Sequence, residues 1–248
     1  MTGTVYLVGA GPGAPDLLTL RAVRLLGEAE IVFHDALVSP EILQLAEKAI
    51  LVPVGKRCGQ HSTSQRFINK RLADAARRHK AVVRLKGGDP MLFGRAQEEI
   101  AFLKKNRIRV EVVPGITAAA AASAQLGVSL TLRGVARSVV FATPRAGDGE
   151  ERSAWSKAVA AADTAALYMA AHDAQAVRDE LLRAGLRPET PVVVAENISL
   201  PGEQTRGLLL RELTSLKAEG PVLLLFGEVF AQEAAAGVLS ARTASQAA

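Results

Sequence analysis

The segment VYLVGAGPGAPDLLTL, residues 5–20, joins a short apolar run to a glycine-rich loop and the beginning of a helical pattern. Val5–Val8 predicts a buried strand. The apolar spacing over Leu17–Ala29 predicts an amphipathic helix, for which Asp16 is a plausible N-cap. The loop between them, GAGPG at 9–13, contains three glycines, which allow a backbone to approach a ligand closely. Residues 5–20 therefore predict the first strand–loop–helix unit of an α/β domain.

The same alternation of β-rich runs and helical runs continues along the chain. After Pro114-Gly115 an alanine run begins at Ala118, and the alternation then restarts. We therefore expect two α/β domains with largely parallel sheets, residues 1–115 and 116–248, with an active-site cleft between them. The Ala/Ser-rich end, from about residue 231, is expected to fray. In the first domain, strands are predicted at 31–33, 51–54, 81–85 and 110–113, and helices at 64–79 and 94–106.

The charge of the chain is unevenly distributed. Its 248 residues contain 30 Lys and Arg against 25 Asp and Glu, a net charge of +5. Residues 56–86 alone contain ten basic side chains and one acid, a balance of +9. The basic residues of the predicted helix at 64–79 share one side, which indicates a solvated face. Four of the five others are predicted at strand ends or in loops, where they are placed to line a cleft and bind carboxylates: Lys56, Arg57, Arg84 and Lys86.

Composition argues against several functional classes. The single cysteine, Cys58, excludes an intrachain disulfide and fits a reducing compartment, so a cytoplasmic location is expected. No run of about 18 apolar residues exists, and no membrane span is expected. The aromatic content of 4% and the lack of a base-reading motif argue against a nucleic-acid binder, the class that the basic stretch first suggests. The four histidines lack metal-ligand spacing, so no metal site is expected.

The loop at 9–13 and Asp35 together permit an alternative function, a nicotinamide-dependent oxidoreductase. Asp35 ends the second predicted strand, where a ribose-binding acid lies in dinucleotide folds. The spacing argues against this function because the third glycine comes one residue early for G-x-G-x-x-G, and because Pro12 and Pro15 remove two amide donors. A tight turn without a ligand is the other alternative for this loop.

Two further loops follow predicted strands. In KGGDP at 86–90, Asp89 is placed to accept hydrogen bonds from an ammonium or ribose group, or simply to stabilise a turn. In PGITA at 114–118, Thr117 is placed to cap the next helix or to bind a ligand. Ligands bind at the carboxyl ends of strands in open α/β sheets, and both loops are therefore candidate binding elements.

The chain resembles the uroporphyrinogen-III C-methyltransferases, which belong to the tetrapyrrole (precorrin-type) methyltransferase family, from Val5 to about Val229. The combination of GAGPG, GKR, LKGGDP with FGR, and PGITAA is specific, whereas each segment alone is a weak signal. The segments that carry the resemblance are VYLVGAGPGAPDLLTL, HDALVSP, VGKRCG, VVRLKGGDPMLFGRAQEE, VVPGITAA and YMA.

The resemblance implies the class III methyltransferase fold and a homodimer that uses S-adenosyl-L-methionine as methyl donor and releases S-adenosyl-L-homocysteine. It implies two methylations of uroporphyrinogen III, at C-2 and C-7, that give precorrin-2 on the route to sirohaem and cobalamin. Another precorrin methyltransferase of the same family is the alternative. The chain departs from the family pattern at four single residues and in one segment, mostly on the substrate side: His34, Ala36, Ala96, Leu132 and the segment Thr143-Pro144-Arg145.

Roles for individual residues also follow from the resemblance. Asp35 corresponds to the proton acceptor and Lys56 to the proton donor. A turn-forming role for Asp35, and simple carboxylate binding by Lys56, stay open as alternatives. Substrate contacts are implied at Arg95, Glu98 and Arg133. Cofactor contacts are implied at Pro12, Gly87, Gly88, Asp89, Leu92, Thr117, Ala118, Met169 and Ile198, although many family members have glycine at the last of these.

Overall fold

The computed structural model describes residues 2–55, 65–146, 154–214, 216–218 and 220–241. Backbone contacts divide the chain into two compact units, Met1–Ala118 and Ala119–Ala248. Lys56, Arg57 and Cys58 lie outside the described residues.

The first unit is a five-stranded sheet with helices on both faces. The strands are ordered β3-β2-β4-β1-β5, and every neighbouring pair is parallel. Each strand except the last is followed by a helix that returns the chain to the same end of the sheet. The elements are β1 Thr4–Gly9, α1 Leu20–Glu28, β2 Ile31–His34, α2 Pro40–Gln44, β3 Ile50–Pro53, α3 Gln65–Ala76, β4 Ala81–Lys86, α4 Ala96–Lys105 and β5 Arg109–Val113.

Both faces of this sheet are buried, and alternate residues of each strand point to opposite faces. Val5, Phe33 and Val82 belong to one apolar core, together with residues of α3 and α4. Val8 and Leu85 belong to the other core, together with residues of α1 and α2. Arg84 and Lys86 follow Val82 at intervals of two along β4 and are also buried. The face shared with α3 and α4 is therefore apolar at one end and charged towards the carboxyl end.

The first helix begins later than the sequence pattern predicts. Pro15–Leu17 forms a short 3₁₀ turn, and α1 begins at Leu20. Thr19 is the N-cap, because its Oγ1 accepts a hydrogen bond from the Ala22 amide at 3.2 Å. The prediction that Asp16 caps this helix is wrong, since Asp16 lies inside the preceding 3₁₀ turn.

The second unit is a six-stranded sheet ordered β11-β9-β8-β10-β7-β6, built around a core that includes Trp155, Leu167 and Phe226. Its elements are α5 Ala118–Leu126, β6 Val139–Ala142, α6 Trp155–Ala161, β7 Thr164–Tyr168, α7 Ala174–Arg183, β8 Pro191–Glu196, β9 Gln204–Leu209, β10 Val222–Gly227, α8 Ala231–Ala236 and β11 Val238–Ala241.

The two-domain α/β class is confirmed, and so is the parallel order of the first sheet. The expectation of largely parallel sheets is wrong for the second, in which β6 and β7 pair in parallel while β10 is antiparallel to both β7 and β8. Segment 197–203, which joins β8 to β9, is shorter than the dozen or so residues that a parallel crossover requires, so these strands pair antiparallel. Residues 231–241, for which fraying is predicted, include α8 and the strand β11, which pairs with β9.

Candidate functional site

The loops that follow β1 and β4 are hydrogen-bonded to each other at the carboxyl edge of the first sheet. The Gly11 amide donates to the Gly88 carbonyl at 3.2 Å, and the Gly88 amide donates to the Gly11 carbonyl at 2.7 Å. Gly11 and Gly88 have φ values of 68° and 65°, in the left-handed region that glycine adopts most readily. The GAGPG and KGGDP motifs therefore form one continuous backbone surface.

The loop that follows β5 packs against the same surface without intervening side chains. A Cβ atom on Gly115 would lie 2.3 Å from the Gly88 carbonyl oxygen and 2.9 Å from the Gly9 Cα. A Cβ on Gly88 itself would have no heavy atom within 4 Å. Gly9 and Gly115 thus serve the packing of the loops on each other, while Gly88 leaves space that a ligand can approach.

Asp89 ties these loops together. Its Oδ1 accepts a hydrogen bond from the Met91 amide at 2.8 Å, and its Oδ2 accepts one from the Gly115 amide at 2.9 Å. These two hydrogen bonds support the turn-stabilising role of Asp89. Each carboxylate oxygen has a second lone pair, so a ligand contact is compatible with this arrangement.

The FGR segment joins this edge to α4 through a strained backbone. Phe93 and Arg95 have φ values of 53° and 54°, although neither is glycine. Such conformations cost roughly 1–3 kcal/mol each and cluster at binding and catalytic sites. Arg95 donates two hydrogen bonds to Glu98, at 2.7 and 2.8 Å, and these lower the pKa of Glu98. Both side chains are half or more exposed, so this pair of predicted substrate residues is accessible.

Asp35 lies directly after β2 at the same edge of the sheet, with its side chain 29% exposed. Its Oδ1 accepts a hydrogen bond from Arg84 Nη2 at 2.5 Å, and its Oδ2 has no hydrogen-bond partner among the residues that the structure describes. The Asp35 backbone carbonyl accepts from the Val38 amide, but its side chain caps no helix, since Ser39 is the N-cap of α2. The side chain is therefore available for chemistry.

Asp35 lies at the exposed end of a cluster of polar side chains, the Glu99 cluster, which consists of Asp35, Gln65, Arg84, Lys86 and Glu99. Glu99 Oε1 accepts hydrogen bonds from Gln65 Nε2 at 3.0 Å, Arg84 Nε at 3.1 Å and Lys86 Nζ at 3.3 Å. Burial, followed by the nearby Arg84 charge, lowers the pKa of Lys86, while Glu99 opposes this shift. Two cations and two carboxylates are balanced in this cluster.

The buried positions of Arg84 and Lys86 correct one interpretation of the sequence. Both residues are 3% exposed and are paired with carboxylates of this chain, so they do not line an open cleft. The sequence does carry a signal for their partner. Glu99 lies on the buried face of α4, three residues after Ala96 and four before Leu103, where an apolar residue is expected.

The remaining predicted site residues are divided between the two units. Pro12, Leu92 and Thr117 are half-buried in the loops of the first unit, and Ala118 begins α5. In the second unit, Met169 follows β7 with 46% of its surface exposed and a φ of 57°.

Two other predicted contacts also belong to the second unit. Ile198 is buried, and the residues on either side of it, Asn197 and Ser199, have left-handed φ values of 53° and 61°. Arg133 is exposed in a tight turn, in which Leu132 and Ala136 exchange backbone hydrogen bonds at 3.0 and 2.8 Å.

Within the described ranges, no three His, Cys, Asp or Glu side chains are grouped closely enough to hold a metal ion. None of the helices in those ranges has the length and apolar character needed to cross a bilayer.

A parallel sheet whose carboxyl edge carries linked glycine loops, strained backbone and an accessible carboxylate is characteristic of α/β enzymes that bind a small ligand at that edge. The chain belongs to the tetrapyrrole (corrin/porphyrin) methylases, whose family model matches residues 4–214. The family assignment argues against the nicotinamide oxidoreductase and nucleic-acid alternatives.

Individual relatives support the assignment over nearly the whole chain. A uroporphyrinogen-III C-methyltransferase of Pseudomonas aeruginosa is 42% identical over 233 residues, covering 92% of this chain and 95% of that protein. A crystal structure of uroporphyrin-III C-methyltransferase from Thermus thermophilus, complexed with S-adenosyl homocysteine, superimposes with a TM-score of 0.81 at 40% identity. That match covers 92% of this chain and 98% of the other. The class III methyltransferase fold is confirmed.

A siroheme synthase of Pseudomonas fluorescens is 44% identical over 92% of this chain, but the match covers only 50% of that protein. The chain spans about half the length of the siroheme synthases that it matches.

Proposed function

We propose that this chain is an S-adenosyl-L-methionine-dependent C-methyltransferase that converts uroporphyrinogen III to precorrin-2 by successive methylations at C-2 and C-7. The similarity to the Pseudomonas aeruginosa enzyme over 92% of this chain and 95% of that one is the observation that carries the proposal. The accessible carboxylate of Asp35, beside loops open to a ligand, supports it. Precorrin-2 is an intermediate on the route to sirohaem and cobalamin.

The loops of the first unit fit an S-adenosyl cofactor. A Cβ atom added at Gly88 would meet no heavy atom within 4 Å, and one added at Gly87 would lie 3.6 Å from the Leu37 Cβ. A ligand can therefore approach the backbone at both glycines. The cofactor, when bound, supplies a methyl group already activated as a sulfonium, which requires neither a metal nor a covalent enzyme nucleophile. The residues proposed to hold it are Pro12, Gly87, Gly88, Asp89, Leu92, Thr117, Ala118, Met169 and Ile198.

Asp35 is proposed as the proton acceptor. Attack by a pyrrole carbon on a methyl group leaves a cationic ring, and a base is needed to remove a proton. Asp35 has one oxygen held by Arg84 and the other without a partner in the described part of the chain, which suits this role. Lys56 is proposed as the proton donor, with binding of a substrate carboxylate as its alternative role.

Substrate binding is proposed at Arg95, Glu98 and Arg133. Uroporphyrinogen carries carboxylates on its acetate and propionate arms, which guanidinium groups bind well. Arg95 and Arg133 are both exposed. The enzyme is proposed to act as a cytoplasmic homodimer. Light scattering of the purified protein tests the dimer.

The proposed function is tested by incubating the purified protein with uroporphyrinogen III and methyl-labelled S-adenosyl-L-methionine. Two labelled methyl groups per tetrapyrrole are expected, with a product mass that corresponds to precorrin-2. A protein that binds S-adenosyl-L-homocysteine but transfers no label to this substrate would contradict the proposal. Transfer to a different precorrin only would favour the other branch of the family.

The Asp35→Asn variant tests the proposed base in the same assay. We expect a fall in kcat of about 100-fold or more, within the range ascribed to general-base catalysis, with unchanged affinity for S-adenosyl-L-homocysteine. Wild-type turnover by this variant would remove Asp35 from the mechanism.

A further inference from the structure

We infer that Glu99 is a positioning residue for the proposed base Asp35 and acts on it through Arg84. The inference deepens the proposed methyltransferase function and rests on it. Glu99 contacts neither Asp35 nor the open loops, and the argument depends on the hydrogen bonds of the Glu99 cluster.

Glu99 is fully buried on α4, with a relative exposure of 0%. One of its oxygens, Oε1, accepts three hydrogen bonds, whereas Oε2 is buried and has no partner among the described residues. Buried polar atoms without a partner are rare in folded proteins because each one loses its hydration without compensation. The neighbouring residues Ala96, Ile100 and Leu103 belong to an apolar core that an apolar side chain at position 99 would extend.

Stability alone is a weak reason for such a cluster. A buried ion pair loses so much hydration that apolar replacements of similar volume are often as stable or more stable. The Glu99 cluster buries the charges of Arg84, Lys86 and Glu99 almost completely. Its only charged member with substantial exposure is Asp35. Asp35 is also the one member of the cluster to which the proposed reaction assigns a role, so we take positioning of Asp35 to be what the cluster does.

Arg84 couples the position of Glu99 to that of Asp35, because its guanidinium group is planar and rigid and bonds both carboxylates. Nε donates to Glu99 and Nη1 donates to the Leu85 carbonyl at 3.1 Å, which fixes the plane of the group. Nη2 then donates to Asp35 Oδ1. With Oδ1 held in this way, Oδ2 is the oxygen left to accept the proton.

Lys86 and Gln65 hold Glu99 in turn. Lys86 Nζ comes from the same face of β4 as Arg84, and Gln65 Nε2 comes from the first residue of α3. Through these hydrogen bonds Glu99 links α3, β4 and α4 below the carboxyl edge of the sheet, where Asp35 lies. Loss of its charge is expected to free Arg84 and to let the Asp35 carboxylate rotate away from the substrate.

The test is a double-mutant cycle between Glu99→Gln and Asp35→Asn. Glu99→Gln is expected to lower kcat at least tenfold, since misplacing a reacting group by about 1 Å can cost 100-fold. KM for uroporphyrinogen III and the Kd for S-adenosyl-L-homocysteine should stay within twofold of wild type. In the Asp35→Asn background, Glu99→Gln should lower kcat by less than twofold, because the group on which it acts is already absent.

Glu111→Gln is the matched control, because Glu111 lies on the edge strand β5, forms a partly exposed ion pair with Arg21 and should leave kcat unchanged. If Glu99→Gln does not fold, Arg84→Lys replaces it in the cycle. Lysine keeps the charge at that position but lacks the rigid planar fork that joins Glu99, the Leu85 carbonyl and Asp35, so the same kcat pattern is expected.

Four outcomes would overturn the inference. A tenfold loss that persists in the Asp35→Asn background shows that Glu99 acts elsewhere, and so does a loss that appears only in the cofactor Kd. Wild-type kcat in a folded Glu99→Gln protein shows that it has no role in turnover. Wild-type protein without methyl transfer refutes the proposed function and this inference together, whereas an additive cycle in an active enzyme refutes this inference alone.

Discussion

At the scale of single residues, the roles of Asp89 and Lys86 follow from their contacts in the structure more clearly than from their positions in the KGGDP motif. Asp89 was a candidate ligand contact from its position after two glycines. In the structure its two oxygens bind the Met91 and Gly115 amides and hold two loops in register. Lys86 precedes the same glycines but is buried against Glu99. These two residues of one motif therefore have different roles. Asp89 joins the loops at the sheet edge, and Lys86 pairs with Glu99 beneath them.

The stability of the protein should depend on pH through Lys86. Burial lowers the pKa of Lys86 in the folded state, so the unfolded chain binds the proton more tightly at alkaline pH. The contribution of Lys86 to the free energy of unfolding should therefore rise as pH increases towards the ordinary lysine pKa of about 10.4, by at most about 1.4 kcal/mol per pH unit.

The check is urea unfolding of wild type and Lys86→Met between pH 8 and about pH 10.4, over which wild type should gain stability relative to the variant. Lys48→Met is a suitable control, because Lys48 is exposed. A difference between wild type and Lys86→Met that is constant across this range would show that the Lys86 pKa is not lowered.

The sequence predicts which of these residues share a face, but not their partners. Alternation along β4 places Arg84 and Lys86 on one side of the sheet. Asp35 lies 49 residues from Arg84 in sequence and Glu99 lies 15 away, so only the folded chain brings them together. The interpretation of Arg84 and Lys86 as cleft cations was wrong for this reason. The roles of Asp35, Lys56 and the cofactor residues stay predictions.

At the scale of elements, the three glycine-containing loops after β1, β4 and β5 form one unit. Their backbones are in contact, so a side chain introduced at the contact must push them apart. Gly115→Ala would place a Cβ 2.3 Å from the Gly88 carbonyl oxygen, which cannot move without displacing its own loop. We expect this variant to bind S-adenosyl-L-homocysteine at least tenfold more weakly in isothermal titration calorimetry.

Gly27→Ala is the control for this prediction. Gly27 lies in α1, an added Cβ there meets no atom within 4 Å, and alanine is the better helix former. Its cofactor affinity should equal that of wild type, with stability equal or slightly higher. Unchanged affinity in Gly115→Ala would mean that these loops adapt or do not contact the cofactor.

Strand and helix patterns predict the elements of the first sheet well, because its strands are rich in apolar residues and each except the last is followed by a helix of the same unit. The same patterns fail for the order of the second sheet. The run β6-α6-β7-α7-β8 gives strands of one direction, as expected, but β10 comes from later in the chain and inserts antiparallel between β7 and β8. An apolar strand such as Val222–Gly227 carries no information about the direction of its neighbours.

At the scale of the whole molecule, the part of the basic stretch that the structure describes, residues 65–86, does not form one surface. Arg84 and Lys86 are internal, and Arg71 lies over the rings of Phe33 and Phe67 at 5.4 and 5.7 Å. Arg77 is paired with Asp74 on the exposed side of α3. A net charge of +5 would attract the proposed anionic substrate to the protein without orienting it. Cations close to the site must therefore orient the substrate.

Arg95→Glu should raise KM for uroporphyrinogen III at least fivefold while the Kd for S-adenosyl-L-homocysteine stays within twofold. The expected cause is repulsion between the new carboxylate and the substrate arms. Arg77→Glu changes the net charge by the same amount and should raise KM less than twofold. Equal effects of both variants in steady-state kinetics would attribute substrate attraction to net charge, and equal losses for both ligands would exclude a substrate-specific role for Arg95.

The pairing of β11 with β9 has a consequence for solubility. Without its partner, the six-residue strand β9 would offer a row of free amides and carbonyls to other chains, and such edges promote aggregation. The strand that takes the outer position, β11, has four residues and an irregular register between Val238 and Ser240. A short, irregular outer strand is a poor template for further pairing, so we expect β11 to disfavour association of further strands at this edge of the sheet.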